Sequence, residues 1–323
     1  MPETDSSRSL PAGTWWRCGV LQRGAEVLVR RLAAIGLLLF APLAACGPET
    51  PSVEPVTAAV DHPAASWLHR VAEAERSTAY VGTKRTIHGP RGTSRESVMQ
   101  IERASDGSTV VRWNERTWRF SDVPLWLDRP ELLLANYDVE IDAEADEQIA
   151  WRPARRLRIV PRHDDRPGAS VWIDEETSVV LRETRFALDG TERLTKVFDQ
   201  IEFEAPPAPP ADVEMLEPRS ASLGTTSPAH WIEPTDLPTG FEVVRRESLD
   251  CGASCAYYSD GLAAFAVMQA RVEAGTEEHG TQAVEGASQA SFSAIRDGVR
   301  VLVQGDLPAE LLRRVIEGVR TGP

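Results

Sequence analysis

Three places in this 323-residue chain carry residue types that do chemistry. The first is Cys251 and Cys255 in C-G-A-S-C. In an oxidising compartment such a pair reads as a disulfide. It lacks the second pair that a four-ligand zinc site wants, and three residues intervene where a thioredoxin-type redox motif has two. The second place is His163-Asp164-Asp165, just before Pro167 and Gly168. That is a turn setting, where Asp is favoured for its own backbone hydrogen bonds, so neither metal binding nor acid–base work is expected there. The third is Cys46, at the end of an apolar run. The chain has no G-x-S-x-G, no phosphate-cradling glycine loop and no H-E-x-x-H, and no nucleophile is placed with a base. We therefore expect a binding protein, not an enzyme, with no cofactor and no metal.

Cys46 decides how the N-terminus is read. Arg30 and Arg31 precede the apolar run Leu32–Ala45, which ends in small residues. That is the pattern of a secretory signal, and its roughly 12 apolar residues fall short of the about 20 needed to span a bilayer. Leu43-Ala44-Ala45-Cys46 resembles a bacterial lipobox, which implies cleavage before Cys46 and a diacylglyceryl group on its thiol; a plain signal peptide with a coincidental cysteine is the alternative. Residues 1–45 are then address, with Val29 a possible true start. Twin-arginine export is the lesser explanation of Arg30-Arg31, because nothing else of that motif is present.

Taking away the leader's five arginines and three acidic residues from 35 basic and 49 acidic groups leaves 278 residues of net charge −16. Such a surface argues against nucleic acid as a partner. Lys84 and Lys196 are the only lysines, a scarcity read as codon composition and not as a phosphate site.

Positioning elements follow from the pattern. Residues 46–61, rich in Pro48, Pro51 and Pro55, form a tether. A helix opens at Pro63 with Trp67, Leu68, Val71 and Ala74 on one face. Asp106-Gly107, Asp189-Gly190, Asp260-Gly261 and Asp297-Gly298 mark tight hairpins between β-prone runs, hence antiparallel sheet. The first domain, 62–204, has strands over 98–103, 109–113, 137–141, 154–160, 170–173, 179–188 and 191–203, and a short helix near 130–136. A Pro-rich linker covers 205–229. The second domain, 230–323, is expected to hold five strands (241–247, 256–259, 262–270, 290–295, 299–304). Its closing helix starts at Pro308, with Asp306 available as its cap and Leu311, Leu312, Val315, Ile316 and Val319 facing the sheet.

An ordered set of motifs now resembles one family. W-L-H-R-V-A-E-A at Trp67–Ala74, A-Y-V-G-T at Ala79–Thr83, the arginine-rich run Arg152–Arg162 and V-W-I-D-E-E-T-S-V-V-L-R at Val171–Arg182 look like the N-terminal part of the MucB/RseB family. L-P-T-G-F (Leu237–Phe241), Y-S-D-G-L (Tyr258–Leu262) and V-Q-G-D-L-P (Val303–Pro308) look like its C-terminal module. The resemblance implies an α+β fold: a LolA/LolB-like antiparallel half-barrel with helices, plus a smaller antiparallel α+β domain. It implies a periplasmic negative regulator of an extracytoplasmic-function sigma factor, binding the periplasmic part of a membrane-spanning anti-sigma factor and shielding it from proteolysis. Lipid or lipopolysaccharide chains entering the half-barrel would weaken that grip. The alternative is a LolB-like lipid or lipoprotein carrier, which the second domain does not suit.

Two departures stand out: the apparent lipid anchor, and a stretch from Val111 to Leu134 shorter than the family pattern. Gly47 after Cys46 is not the Asp that retains some lipoproteins in the inner membrane, so an outer-membrane anchor is slightly favoured.

Within a lipid-lined half-barrel the candidate lining is Trp113, Trp118, Phe120, Trp126, Leu127, Trp172, Phe186 and Phe198. Acyl chains gain about 0.8 kcal/mol per buried CH₂ there. The same residues fit a packed core. Arg152, Arg155, Arg156, Arg158 and Arg162 fit a charge-protected sheet edge, or contacts to an acidic partner or lipid phosphates.

Overall fold

The computed structural model describes residues 63–89, 94–114, 116–121, 125–142, 147–204, 231–248, 253–273, 275–283 and 290–319. The leader, the tether, the Pro-rich linker, Cys46 and Cys251 lie outside the described residues.

The first domain opens with helix α1 (Pro63–Ser77) and then runs β1 (Tyr80–His88), β2 (Arg95–Arg103), β3 (Ser108–Trp113) and β4 (Arg116–Ser121). Helices α2 (Leu125–Asp128) and α3 (Pro130–Asn136) follow. The sheet resumes with β5 (Tyr137–Ile141), β6 (Glu147–Ile149), β7 (Arg152–Pro161), β8 (Ala169–Asp174), β9 (Val180–Phe186) and β10 (Glu192–Glu202). The order in the sheet is β4-β3-β2-β1-β10-β9-β8-β7-β5, with β6 added beside β7. Pairing of β1 with β10 is antiparallel and brings the two ends of the domain together. The terminal strands β4 and β5 do not pair, so the sheet is open, as a half-barrel requires.

One face is covered by helices because its alternate residues are apolar. Leu157 and Ile159 of β7 and Val171 and Ile173 of β8 bury against Leu68, Val71 and Ala72 of α1 and Trp126 and Leu133 of α2 and α3. The helix is also bonded to the sheet: the buried Glu75 carboxylate accepts from the Val180 backbone N–H at 2.9 Å. This satisfies a group that would otherwise cost 1–3 kcal/mol to bury.

The second domain has β11 (Glu242–Ser248), β12 (Ser254–Ser259), β13 (Ala264–Arg271), β14 (His279–Ala283), β15 (Ala290–Arg296) and β16 (Val299–Gly305), then α4 (Ala309–Gly318). Its order is β11-β12-β13-β16-β15-β14. Leu311, Leu312, Val315 and Ile316 of α4 bury against Phe292, Ala294, Val301 and Val303 of that sheet. The sheet thus has six strands where the sequence reading expects five. The extra one, β14 (H-G-T-Q-A), is an exposed edge with no apolar alternation to reveal it.

Two further expectations change. The arginine-rich strand β7 is not an edge, since β8 and β5 flank it; its arginines instead pair with carboxylates, among them Arg155 with Glu175, Arg156 with Asp142, and Arg158 with Glu140, and just past the strand Arg162 pairs with Asp138. Asp306 does not cap α4, whose N-cap is Pro308 with no side-chain hydrogen bond. Its carboxylate is turned to the other domain, as described next.

Candidate functional site at the interdomain seam

The second domain docks through two neighbouring turns: Asp260-Gly261, between β12 and β13, and 305–308, between β16 and α4. The Asp306 N–H donates to Ala264 O at 3.0 Å, which holds the two turns side by side.

Asp260 is the centre of the seam. Its Oδ1 accepts from the backbone N–H groups of Leu262 and Ala263, at 3.0 and 2.8 Å, and so shapes its own turn. Its Oδ2 faces the first domain and accepts from Tyr137 Oη at 2.8 Å and Arg166 Nη1 at 2.9 Å. Both the Arg166 and Asp260 side chains are 0% exposed. The remaining Arg166 donors are used as well: Nη2 reaches Thr239 O at 2.7 Å, and Nε reaches Asp165 at 2.9 Å. The guanidinium also lies 5.2 Å from the Phe241 ring. Asn136 Nδ2 donates across the seam to Gly240 O and Asp260 O, at 3.2 and 3.0 Å. Burial, then the adjacent Asp260 carboxylate, pushes the Tyr137 phenol far above its ordinary range, so it stays a donor.

Close approach needs glycine here. Gly261 has φ +100°, and a Cβ on it would sit 2.3 Å from Leu133 N; only glycine takes both without strain. Leu262 beside it joins the core of the first domain. A second contact uses Arg185, which donates to Glu183 at 2.7 Å and to Leu262 O at 2.8 Å. Arg185 also lies 3.5 Å from Asp306, and Arg193 forms a further ion pair with that same carboxylate. Asp306 therefore serves the seam, because two arginines outcompete a helix end for a buried carboxylate.

The six candidate lining residues with described side chains lie in different parts of the first domain. Trp126 and Leu127 are buried core between α1 and α3, and Phe198 is buried against Tyr80. Trp172 alternates with Val171 and Ile173 and so lies on the opposite face, with Arg182 stacked at 4.2 Å. Phe186 lines a shallow outer groove with Val160, His163 and Leu188. Trp113 is half-buried. Trp118 and Phe120 belong to β4, but their side chains lie outside the described residues. Cys255 is buried on β12, its thiol pushed up to about 12 by burial and by Glu247. Among the described residues no group of three or more His, Cys, Asp or Glu side chains forms a metal site.

Sequence reasoning missed Asn136, Tyr137, Arg166, Arg185 and Arg193 as partners of the second domain. The available signal was the pair Y-S-D-G-L and V-Q-G-D-L-P: the motifs that mark the C-terminal module are the two turns that build the seam.

The seam residues fall within two matched domain families. Residues 86–205 match the MucB/RseB N-terminal domain, and residues 225–320 match the MucB/RseB C-terminal domain. Among curated proteins, the sigma factor AlgU regulatory protein MucB of Pseudomonas aeruginosa is 26% identical over 305 residues, covering 82% of this chain and 93% of that one. The sigma-E factor regulatory protein RseB of Escherichia coli is 27% identical over 187 residues, covering 54% and 57%. Among solved structures, the Pseudomonas aeruginosa MucA/MucB complex aligns with TM-score 0.56 at 23% identity, over 79% of this chain and 97% of that one. MucB in complex with MucA(peri) aligns with TM-score 0.54 at 23% identity, over 78% and 96%. With an N-terminal and a C-terminal domain both matched in order, the chain belongs to the MucB/RseB family.

Proposed function

We propose that this protein is an envelope-localised negative regulator of extracytoplasmic-function sigma-factor signalling. It binds the periplasmic segment of a membrane-spanning anti-sigma factor and shields it until an amphiphile, such as lipid or lipopolysaccharide, enters the half-barrel. The observation that carries this reading is the seam. A carrier needs only the half-barrel, whereas here a second domain is bolted to it through a fully buried Arg166–Asp260 pair. A regulator needs two domains that present one composite surface and that change packing when released. The relatives named for sigma-factor regulation, and the MucA complexes of MucB, support the partner class.

The test is capture in intact cells with a site-specific photo-cross-linker on the full chain. Recovery of a single-span membrane protein with a sigma-binding cytoplasmic part is expected. Recovery of assorted lipoproteins and lipid without such a protein would favour the LolB-like carrier instead.

Lipid anchoring belongs to the same proposal. Export by the leader would place diacylated Cys46 in a membrane, the outer one slightly favoured because Gly47 is not Asp. Cys46→Ser should release the protein from membranes into the soluble periplasmic fraction. Membrane retention of that variant would leave Cys46 without a role.

A further inference from the structure

We infer that the β6–β7 turn is a docking knob for a protein partner, with Trp151 as its anchor and a basic, partly apolar segment as the piece it receives. The inference goes beyond the sigma-factor reading and needs neither the half-barrel interior nor the seam.

The turn has two residues, because Ile149 pairs with Arg152 across it. Both of them, Ala150 and Trp151, have positive φ, +51° and +64°. Asparagine, aspartate and glycine fill such a hairpin turn at little cost, whereas a bulky residue there is an outlier. The chain itself supplies the comparison. The β15–β16 turn also has two residues, since Arg296 pairs with Val299, and its φ values are +51° and +69°. There the residues are Asp297-Gly298. The same steric problem is met with the expected pair in one domain and with Ala-Trp in the other. Strain kept at one turn and avoided at its equal points to a use for the side chain.

That side chain is given to solvent. Trp151 is 90% exposed, against 55% for Leu188, the next most exposed large apolar residue among those described. Its base is rigid. Ile149 is buried, and Ala150 packs on the same cluster. Arg152 is held three ways: by the buried Asp174 carboxylate, by Glu176 at 2.7 Å, and over the Phe203 ring at 4.6 Å. An indole on a fixed stalk offers a large contact area at little ordering cost on binding, which is the character of an interface hot spot.

The charge around the indole fits a basic partner. The Glu175 N–H donates to Pro153 O at 3.1 Å, so the β8–β9 turn, with Glu175 and Glu176, lies beside the start of β7. Glu147 stands on β6, and β10 passes beside β6 and ends in the exposed Glu202. Exposed Glu204 follows Phe203, the ring under Arg152. Arg152 and Arg155 are already committed to Asp174, Glu175 and Glu176. Among the described residues no cation pairs with Glu147, Glu202 or Glu204. An open indole face beside unpaired carboxylates attracts an arginine or lysine head twice, through the ring quadrupole and through charge. The same rim repels an anionic lipid surface.

The test uses the mature chain carrying Cys46→Ser, so that no lipid is attached. The probe is a fluorescent dodecapeptide of Arg-Leu-Gly repeats, with a matched Gln-Leu-Gly peptide as neutral control, read by anisotropy. The basic peptide should bind at least about ten-fold tighter than the neutral one. Ala150→Asn/Trp151→Gly relieves the strain, so it should fold at least as stably and still lose about ten-fold in affinity for the basic peptide. Trp151→Ala should lose as much, Trp151→Tyr should keep most of the affinity, and Glu147→Gln/Glu202→Gln should lower it. The proposal is overturned by no binding of the basic peptide, by equal binding of the neutral one, or by unchanged affinity in the Asn-Gly, alanine or glutamine variants. Sedimentation with phosphatidylglycerol vesicles that depends on Trp151 would overturn it in favour of a membrane contact. Dimerisation in the ultracentrifuge that depends on Trp151 would overturn it in favour of a second copy.

Discussion

Asp260→Asn tests the seam most directly. The change is isosteric and retains an oxygen for the Leu262 and Ala263 N–H groups, so the turn is kept. It replaces the acceptor that faces Tyr137 and Arg166 by a donor or by a neutral oxygen. Arg166, 0% exposed, then keeps only Thr239 O and Asp165. Removing one partner of a buried ion pair typically costs about 3–5 kcal/mol. Because the remaining acceptors stay, we expect about 3 kcal/mol. That is a large part of the 5–15 kcal/mol of a typical folded protein. Urea unfolding of the full chain, followed by tryptophan fluorescence, measures it, and hydrogen exchange should rise first at 132–137 and 256–265. Arg166→Met should cost a similar amount. The double variant should cost at least about 2 kcal/mol less than the sum, because each single change strands the other partner. A loss under about 1 kcal/mol with additivity to within about 0.5 kcal/mol would refute the reasoning.

Four other outcomes follow. Gly261→Ala, strained by its φ of +100° and by the approach to Leu133 N, should cost at least about 2 kcal/mol in the same unfolding assay without touching any charge. Glu183 is opposed by burial, but Arg185, Lys196 and Lys84 outweigh that and hold it at about 2, below its ordinary 4.5. A carboxyl so depressed stabilises fully above 4.5 and loses the effect as pH falls through about 2. Its contribution, on the order of 3 kcal/mol, should appear as a fall in unfolding free energy over that window that Glu183→Gln abolishes. Ala150 and Trp151 form the β6–β7 turn with φ +51° and +64°, and Trp151 is 90% exposed. Replacing them with Asn-Gly should raise unfolding free energy by about 1–2 kcal/mol, and no gain would mean that the turn stores no strain. Cys255 is a free buried thiol in the structure; if oxidative export joins it to Cys251, as C-G-A-S-C leads one to expect, reduction should add two hydrogens to the intact mass, and an unchanged mass would reject the disulfide.

What the sequence made legible was local. The helix from Pro63, the Asp-Gly hairpins and the strands around them depend on residues a few positions apart, and the structure has them within a few residues. Asp106 and Asp189 even accept from the backbone N–H two residues on, as the motif leads one to expect. The misses are where distant residues decide. Strand β7 looked like a charged edge because its arginines are near in sequence, while their carboxylates on β5 and beyond β8 are not. Asp306 looked like a helix cap because its competing partners, Arg185 and Arg193, lie more than a hundred residues earlier. Of the aromatic cluster between Trp113 and Leu127, Trp113 is half-buried on β3 and Trp126 lies in the core on α2, a separation set by the fold and not by distance along the chain. Scarce lysines were taken as compositional; only strand register shows that both face inward, Lys84 opposite the buried Phe198 and Lys196 opposite Glu183, which itself stands opposite Val171 of the helix-covered core.

The placement of those two lysines has a practical consequence. Amine-directed reagents meet almost nothing on this protein beyond its N-terminus. Coupling to succinimidyl esters, surface immobilisation through lysine and lysine-based cross-linking mass spectrometry would all be nearly silent or would report from inside the half-barrel. With Lys196 near 8, a good part of it is the free amine at mildly basic pH. A small acylating reagent would thus report how open the covered face is to solvent, whereas tryptic mapping of the body would be read almost wholly through arginine.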